Sequence, residues 1–318
     1  MIRNLKTQLS EVQLHYATKP AYQGILEANP YVDHVHLLGD SLWDFCRKLK
    51  RESFDYVIDL HHNRRTWIIK RWLGVRAFSY NKINWQKLLM VRLKINRLPA
   101  THVVDRYMAA VSPLGVNMDT LGLDYFIPER DEVEHDWLPE SHRNGFYALV
   151  IGGKHSTKRL PKDRLIELCD RINKPIVLLG GKEDKEVGEA VAKFFVQGPP
   201  DDAKEQFLQE QLGKKALVYN ACGKFNFNQS ASLIKNAIAV FSHDTGLMHV
   251  AAAFGKKVFS IWGNTIPEFG MYPYRTQFLI FENKKLDCRP CSKIGFDKCP
   301  KGHFKCMNDV YFDFWLPD

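Results

Sequence analysis

The sequence predicts an α/β protein built on parallel sheets, and three observations carry that prediction. Short apolar runs rich in Val, Ile, Leu and aromatic residues alternate with polar-faced stretches of helical length. The alternation occurs twice, on either side of a stretch from Leu123 to Asn144 that holds Pro128, Pro139 and the acids Glu129, Asp131, Glu132, Glu134 and Asp136. Polar residues capable of chemistry gather just after the apolar runs, where ligands of open α/β sheets bind. With 45% hydrophobic residues, 318 residues suffice for two compact cores, and the acidic linker divides the chain into 1–140 and 141–318.

Taken in order, Val12–Ala17, Val32–Leu38, Asp55–Leu60 and Arg76–Tyr80 read as strands. Helices are expected over 21–28, 41–51, 65–73 and 103–112, with Ser41 set for a capping box and Gly74 closing its helix. In the second half, strands are expected over 147–151, 176–179 and 216–219, and helices over 162–171, 185–195 and 227–236. Gln197 to Lys215 reads as a polar surface insertion.

The richest stretch is Phe241 to Gly263, FSHDTGLMHVAAAFGKKVFSIWG. Ile238–Ser242 is a buried strand, and Thr245–Phe254 a helix that Asp244 is placed to cap and Gly255 to end. The first turn offers the amides of Thr245, Gly246 and Leu247 to an anion. Asp244 and His249 can share one crevice. A glycine at the second helical position costs stability unless something approaches the backbone. A strand–helix–strand unit in which Asp244 merely caps is the competing reading.

The run D-T-G-L-M-H-x-A-A-A, followed by G-K-x-V, resembles the signature of the glycosyltransferase family 9 enzymes, the heptosyltransferases that build the inner core of lipopolysaccharide. The resemblance implies the GT-B architecture, two Rossmann-like domains facing across a crevice, with no cofactor. A second motif, Gly152-Gly-Lys-His-Ser-Thr-Lys-Arg-Leu-Pro161, is similar to the family's loop that binds the donor's diphosphate, with Leu160 in place of a tryptophan. Pro161 is expected at the first position of the next helix. The resemblance assigns donor binding to Ser156, Thr157, Lys158, Glu183, Asp244, Thr245, Gly246 and Met248, and catalytic roles to Lys158, Asp244 and His249. Glu183, after Gly180-Gly181, falls where the family places a carboxylate near the donor. By spacing alone, these two segments also read as a solvated basic loop and an ordinary turn. His61 and His62 lie at a strand's end, where they either face an acceptor or form a loop in which Asn63 caps a helix.

The family opens with a strand and a glycine–aspartate loop; this chain opens on Met1-Ile-Arg-Asn-Leu-Lys6, which resembles the helix that follows them. The resemblance therefore implies that the first strand, the loop and the catalytic aspartate are lacking, as in a truncated gene model or fragment. A short form with little transfer activity is the alternative.

Seven cysteines are present. Cys46, Cys169 and Cys222 read as small buried groups. Cys288, Cys291, Cys299 and Cys306, with His303 among them, have the ligand types of a structural zinc site; packing cysteines without metal are the favoured reading.

Net charge is +9, and from Arg47 to Arg97 fourteen Lys/Arg face three acids, with Trp43, Trp67, Trp72 and Trp85 interleaved. Such a region favours an anionic partner, and no nucleic-acid motif accompanies it. No apolar run is long enough for a membrane span and the N-terminus lacks an apolar leader segment, so a cytoplasmic protein, peripheral at the membrane face, is expected. The reading is transfer of heptose from ADP-heptose to an anionic lipid A–Kdo type acceptor, by inversion and without metal. Another nucleotide-sugar, or a silent nucleotide-sugar binder, is the alternative. A dinucleotide-dependent dehydrogenase is disfavoured, because no G-x-G-x-x-G follows a strand.

Overall fold

A computed structural model describes residues 1–197 and 216–316; the expected insertion after Gln197 lies outside them. Ten strands are described: β1 His15–Thr18, β2 His34–Leu37, β3 Tyr56–Asp59, β4 Arg76–Ser79, β5 Tyr147–Val150, β6 Ile176–Leu179, β7 Val218–Asn220, β8 Ala239–His243, β9 Lys257–Trp262 and β10 Phe278–Glu282.

The last six form one parallel sheet in the order β10-β9-β8-β5-β6-β7. The chain starts in the middle at β5, steps outward to β7, then crosses back and leaves the other way from β8. The C-terminal ends of β5 and β8, paired through Val150 and Ser242, are therefore the point where strand order reverses. Loops diverge there and open a crevice.

Both faces of this sheet are covered, which is why its strands read as unbroken apolar runs. Tyr147 and Leu149 join one core with Phe241, Phe259 and Phe281, while Ala148 and Val150 join the opposite core with Val240, Val258 and Trp262. Helix Lys162–Ile172 lays Leu165, Ile166, Leu168, Cys169 and Ile172 onto the first of these cores. Pro161 is its N-cap and not its first helical residue, so the helix starts one position later than that placement of Pro161 implies, and Asn173 ends it in the left-handed region at φ 45°.

The N-terminal half is thinner. Its strands pair as two separate parallel ribbons, β1 with β2 and β3 with β4, so each strand is hydrogen-bonded on one side only among the described residues. Ser41 and Asn63 cap helices Leu42–Arg51 and Arg64–Leu73, and Asn63 shares a capping box with Thr66. Gly74 closes the latter helix at φ 70°. The stretch expected as helix from 21 to 28 is a 3-10 helix, Pro20–Ile25. A helix at Asn84–Leu93 has no counterpart in the sequence reading, because Leu88, Leu89, Met90 and Val91 are consecutive rather than spaced along one face.

The halves meet through the segment entering helix Val103–Val111. Val103 N–H donates to Gly270 O at 2.8 Å, His102 Nε2 to Tyr272 O at 2.8 Å, and Arg106 to Phe269 O at 3.0 Å. His102 Nδ1 accepts from Val104 N–H, which fixes the proton on Nε2; burial pushes this imidazole down to about 4.

Candidate functional site

The two segments singled out in the sequence come together at the switch point. The loop after β5 turns through a short 3-10 turn, Ser156–Lys158, and sends Lys158 across the mouth of β8. Its ammonium donates to Asp244 Oδ2 at 2.5 Å and to the Asp244 carbonyl at 3.3 Å. Thr265, from the loop after β9, donates to the same carboxylate oxygen at 3.1 Å. Both side chains of the pair are largely buried, at 15% and 11% exposure, so the pair is only weakly screened by water.

Asp244 is thus an ion-pair partner and not the cap foreseen for the next helix. That helix is Gly246–Ala253, and its N-cap is Thr245, with no side-chain cap bond. Lys158 and Thr265 draw Asp244 Oδ2 away from the helix start, and the N-cap position falls one residue later, on Thr245. Gly246 is exposed at the helix start, whereas Met248 lies wholly in the core beneath it. His249 is buried enough to favour its neutral form, with Asp244 opposing that shift and Lys158 adding to it. His243 is fully buried, accepts Leu160 N–H through Nε2 at 3.0 Å, and is pushed down to about 3 by burial.

The remaining predicted donor residues divide by position. Ser156 accepts a hydrogen bond from Arg159 at 2.9 Å, and Arg159 also pairs with the buried Asp184 at 2.9 Å. Asp184 in turn accepts Gly181 N–H at 2.9 Å and fixes the turn after β6. Glu183 stands exposed on the rim beside it. Thr157 does not present its hydroxyl to the crevice: it is 2% exposed, donates to Phe296 O at 2.9 Å and accepts Phe296 N–H at 2.8 Å. It pins the segment after β10 onto the Lys158 loop.

That segment is held at its start by Arg289, which is buried and donates to Gly263 O, Thr265 O at 2.9 Å and Glu282 at 2.9 Å. Arg289 thereby fixes the loop carrying Thr265. Within the segment, Cys288 Sγ lies 3.9 Å from His303 Nε2, and Cys291 Sγ–H bonds to the Cys288 carbonyl at 3.0 Å. All seven cysteines are free thiols. Among the described residues no group of three or more His, Cys, Asp or Glu side chains is arranged to hold a metal, so Cys288, Cys291, Cys299 and Cys306 are not assembled as a tetrathiolate site.

From the N-terminal half the crevice receives Lys87, on helix Asn84–Leu93. Its ammonium sits 5.6 Å from the centre of the Phe269 ring. Burial, with Arg106, Lys293 and Lys82 nearby, pushes Lys87 down to about 8, while Asp244 opposes the shift. The carboxylate paired with Lys158 is therefore within electrostatic reach of a cation from the other half. Beside Lys82 lies an open cavity of about 440 Å³ lined by His62 and the run Ser79–Asn84. His61 and His62 follow β3, where Asp59 accepts both their amides at 3.0 and 2.6 Å and pairs with Lys70 at 2.8 Å. His62 lines the cavity; Asn63 caps.

The glycosyltransferase family 9 (heptosyltransferase) model matches residues 42–298, which takes in Lys87, Lys158, Asp244 and Thr265 alike. The chain belongs to glycosyltransferase family 9. This family member is 31% identical over 106 residues to lipooligosaccharide heptosyltransferase 2 of Haemophilus influenzae, a match covering 33% of the chain and 26% of the relative. It thus spans about a quarter of that relative. Lipopolysaccharide heptosyltransferase 1 of Campylobacter coli is matched more fully, at 21% identity over 90% of this chain and 84% of the relative. Among solved structures, the ADP-heptose lipopolysaccharide heptosyltransferase II of E. coli superimposes with a TM-score of 0.64 at 16% identity, covering 97% of this chain and 92% of that one. At that identity the likeness shows the fold, which is GT-B.

Sequence reasoning did not find Lys87, Arg159, Asp184 or Thr265. Arg159 and Asp184 each adjoin a residue that was chosen. Lys87 and Thr265 carry no local signal, since their place is set by how distant segments pack.

Proposed function

We propose that this family 9 glycosyltransferase transfers heptose from ADP-heptose to the lipopolysaccharide inner core, with inversion at the anomeric carbon and with fixed cations in place of a metal. The division at residue 140 then separates an acceptor-side domain from a donor-side domain. One observation carries the reading: an ammonium–carboxylate pair at the switch point of the sheet, in front of a helix start and facing a second lysine from the other half.

In the proposed reaction an acceptor hydroxyl oxygen attacks the anomeric carbon. The bond from that carbon to the diphosphate oxygen breaks, and ADP leaves with the electron pair. Lys158 and the free amides at Thr245 and Gly246 are placed to meet the charge that develops on the diphosphate. Asp244 holds the ammonium in position until the diphosphate arrives. With Asp244 Oδ2 engaged by Lys158 and Thr265, the acceptor's proton is released to solvent water as the new C–O bond forms. Glu183, exposed on the rim, and His249, half-buried behind Asp244, are the donor-side groups left to read the sugar and nucleoside.

Calorimetry with ADP, UDP and NAD tests the donor class. ADP is expected to bind most tightly, and Lys158→Ala to weaken it by about tenfold or more, the loss of one charge-assisted contact. Equal affinity of wild type and variant for ADP would remove Lys158 from the diphosphate site. Transfer assayed with ADP-heptose against other nucleotide-sugars tests the sugar.

A further inference from the structure

Helices Leu42–Arg51 and Arg64–Leu73 pack on each other through Phe45, Leu49, Ile69 and Leu73, which with Phe54 and Val57 form a small core of their own. Their outer faces carry a different set of large apolar groups. Trp43 is 55% exposed, Trp67 61% and Trp72 43%. Trp43 and Trp72 meet across the helix pair, with ring centres 5.5 Å apart. None of the three contributes to the core beneath. An indole is costly to leave in water; Trp43 and Trp72 form an exposed aromatic pair, and Trp67 adds a third exposed indole on the second helix, apolar groups that soluble surfaces rarely carry without a partner.

The charges around these rings are predominantly positive. Arg64, Arg65 and Arg71 are exposed on the second helix, which has no acidic residue. Arg47, Lys48, Lys50 and Arg51 are exposed on the first, against Asp44, which pairs with Arg47. Arg71 follows Trp67 by four positions, and Arg47 follows Trp43 by four, so each cation shares a face with an indole. Tryptophan settles at the level of lipid headgroups, and guanidinium and ammonium groups at that depth meet anionic phosphates.

We propose that this helix pair is a docking surface for an anionic bilayer, with Trp43, Trp67 and Trp72 entering the headgroup layer and Arg64, Arg65 and Arg71 pairing with lipid phosphates. Charge complementarity selects the occupant: a protein partner built to cover three indoles would not by itself call for the excess of exposed cations, Asp44 balancing only Arg47. The surface accords with the lipid-borne acceptor proposed above. It uses none of the donor-site residues, so its failure and the failure of that reading are measured separately.

The test is flotation of the full chain with vesicles of phosphatidylcholine alone and of phosphatidylcholine with phosphatidylglycerol. Wild type is expected to float with the anionic vesicles only, and its tryptophan emission to shift to the blue. Trp43→Ser combined with Trp67→Ser, and separately Arg64→Glu with Arg71→Glu, are each expected to lower partitioning by about tenfold or more. Thermal melts and ADP binding, compared with wild type, establish that the variants remain folded. Equal flotation on neutral and anionic vesicles, unchanged partitioning of either folded variant, or retention on duplex DNA with none on vesicles, would each overturn the proposal.

Discussion

At the scale of single residues, the crevice is held open by positions where a side chain cannot fit. A Cβ at Gly152 would stand 2.5 Å from Asp184 Oδ2 and 3.1 Å from the Gly180 Cα. Gly152→Ala therefore displaces Asp184, and with it the bond to Arg159. The expected cost is about 1–3 kcal/mol, as for other overpacked sites, and is read from denaturant midpoints. Gly246 is the control. Its nearest neighbour is the Phe227 ring at 3.5 Å, so Gly246→Ala is expected to leave stability unchanged or raised. A stability loss at Gly246 equal to that at Gly152 would contradict this account of the two positions.

At the scale of elements, the Lys158 loop is tied to the segment after β10 by the Thr157 amide, which donates to Phe296 O at 3.1 Å, and by the Thr157 hydroxyl. Thr157 exchanges two bonds with the backbone of Phe296, so Thr157→Val removes a donor and an acceptor while keeping the shape. The variant is expected to lose about 1–3 kcal/mol and to be cleaved faster by protease between residues 291 and 299. Unchanged cleavage would mean that the backbone bonds of Thr157 and Cys291, with Arg289, suffice to hold the segment. Elements also show what the sequence could reveal. β5, β6 and β8 were legible because both faces are buried and the runs are unbroken. The N-terminal strands are four residues each and partly exposed, so their ends were less well marked. Lys158 and Asp244 were legible because each follows a strand end within a motif. Thr265 was not, because it reaches Asp244 only through the alignment of β9 with β8. The capping role expected of Asp244 failed for a related reason: a local rule for helix starts cannot see a lysine arriving from another loop.

For the molecule as a whole, the feature that joins the halves chemically is Lys87. With its ammonium pushed down to about 8, it loses its proton far earlier than an exposed lysine at 10.5. It is charged below about pH 8 and neutral above. An anion held between the halves is accordingly expected to bind less tightly as pH rises through 8. Titration calorimetry with ADP across pH 6.5 to 9.5 should show this loss in wild type and a flatter profile in Lys87→Gln, with Lys87→Arg retaining affinity to the top of the range. A wild-type profile that is level through pH 8 would place Lys87 outside the ligand's reach.

The bond between Thr157 and Phe296 has one more consequence. Residue 157 is the immediate neighbour of the lysine paired with Asp244, so the cysteine-bearing segment and that ion pair share one anchor. A displacement of Phe296 would therefore be felt first at the residue beside that lysine.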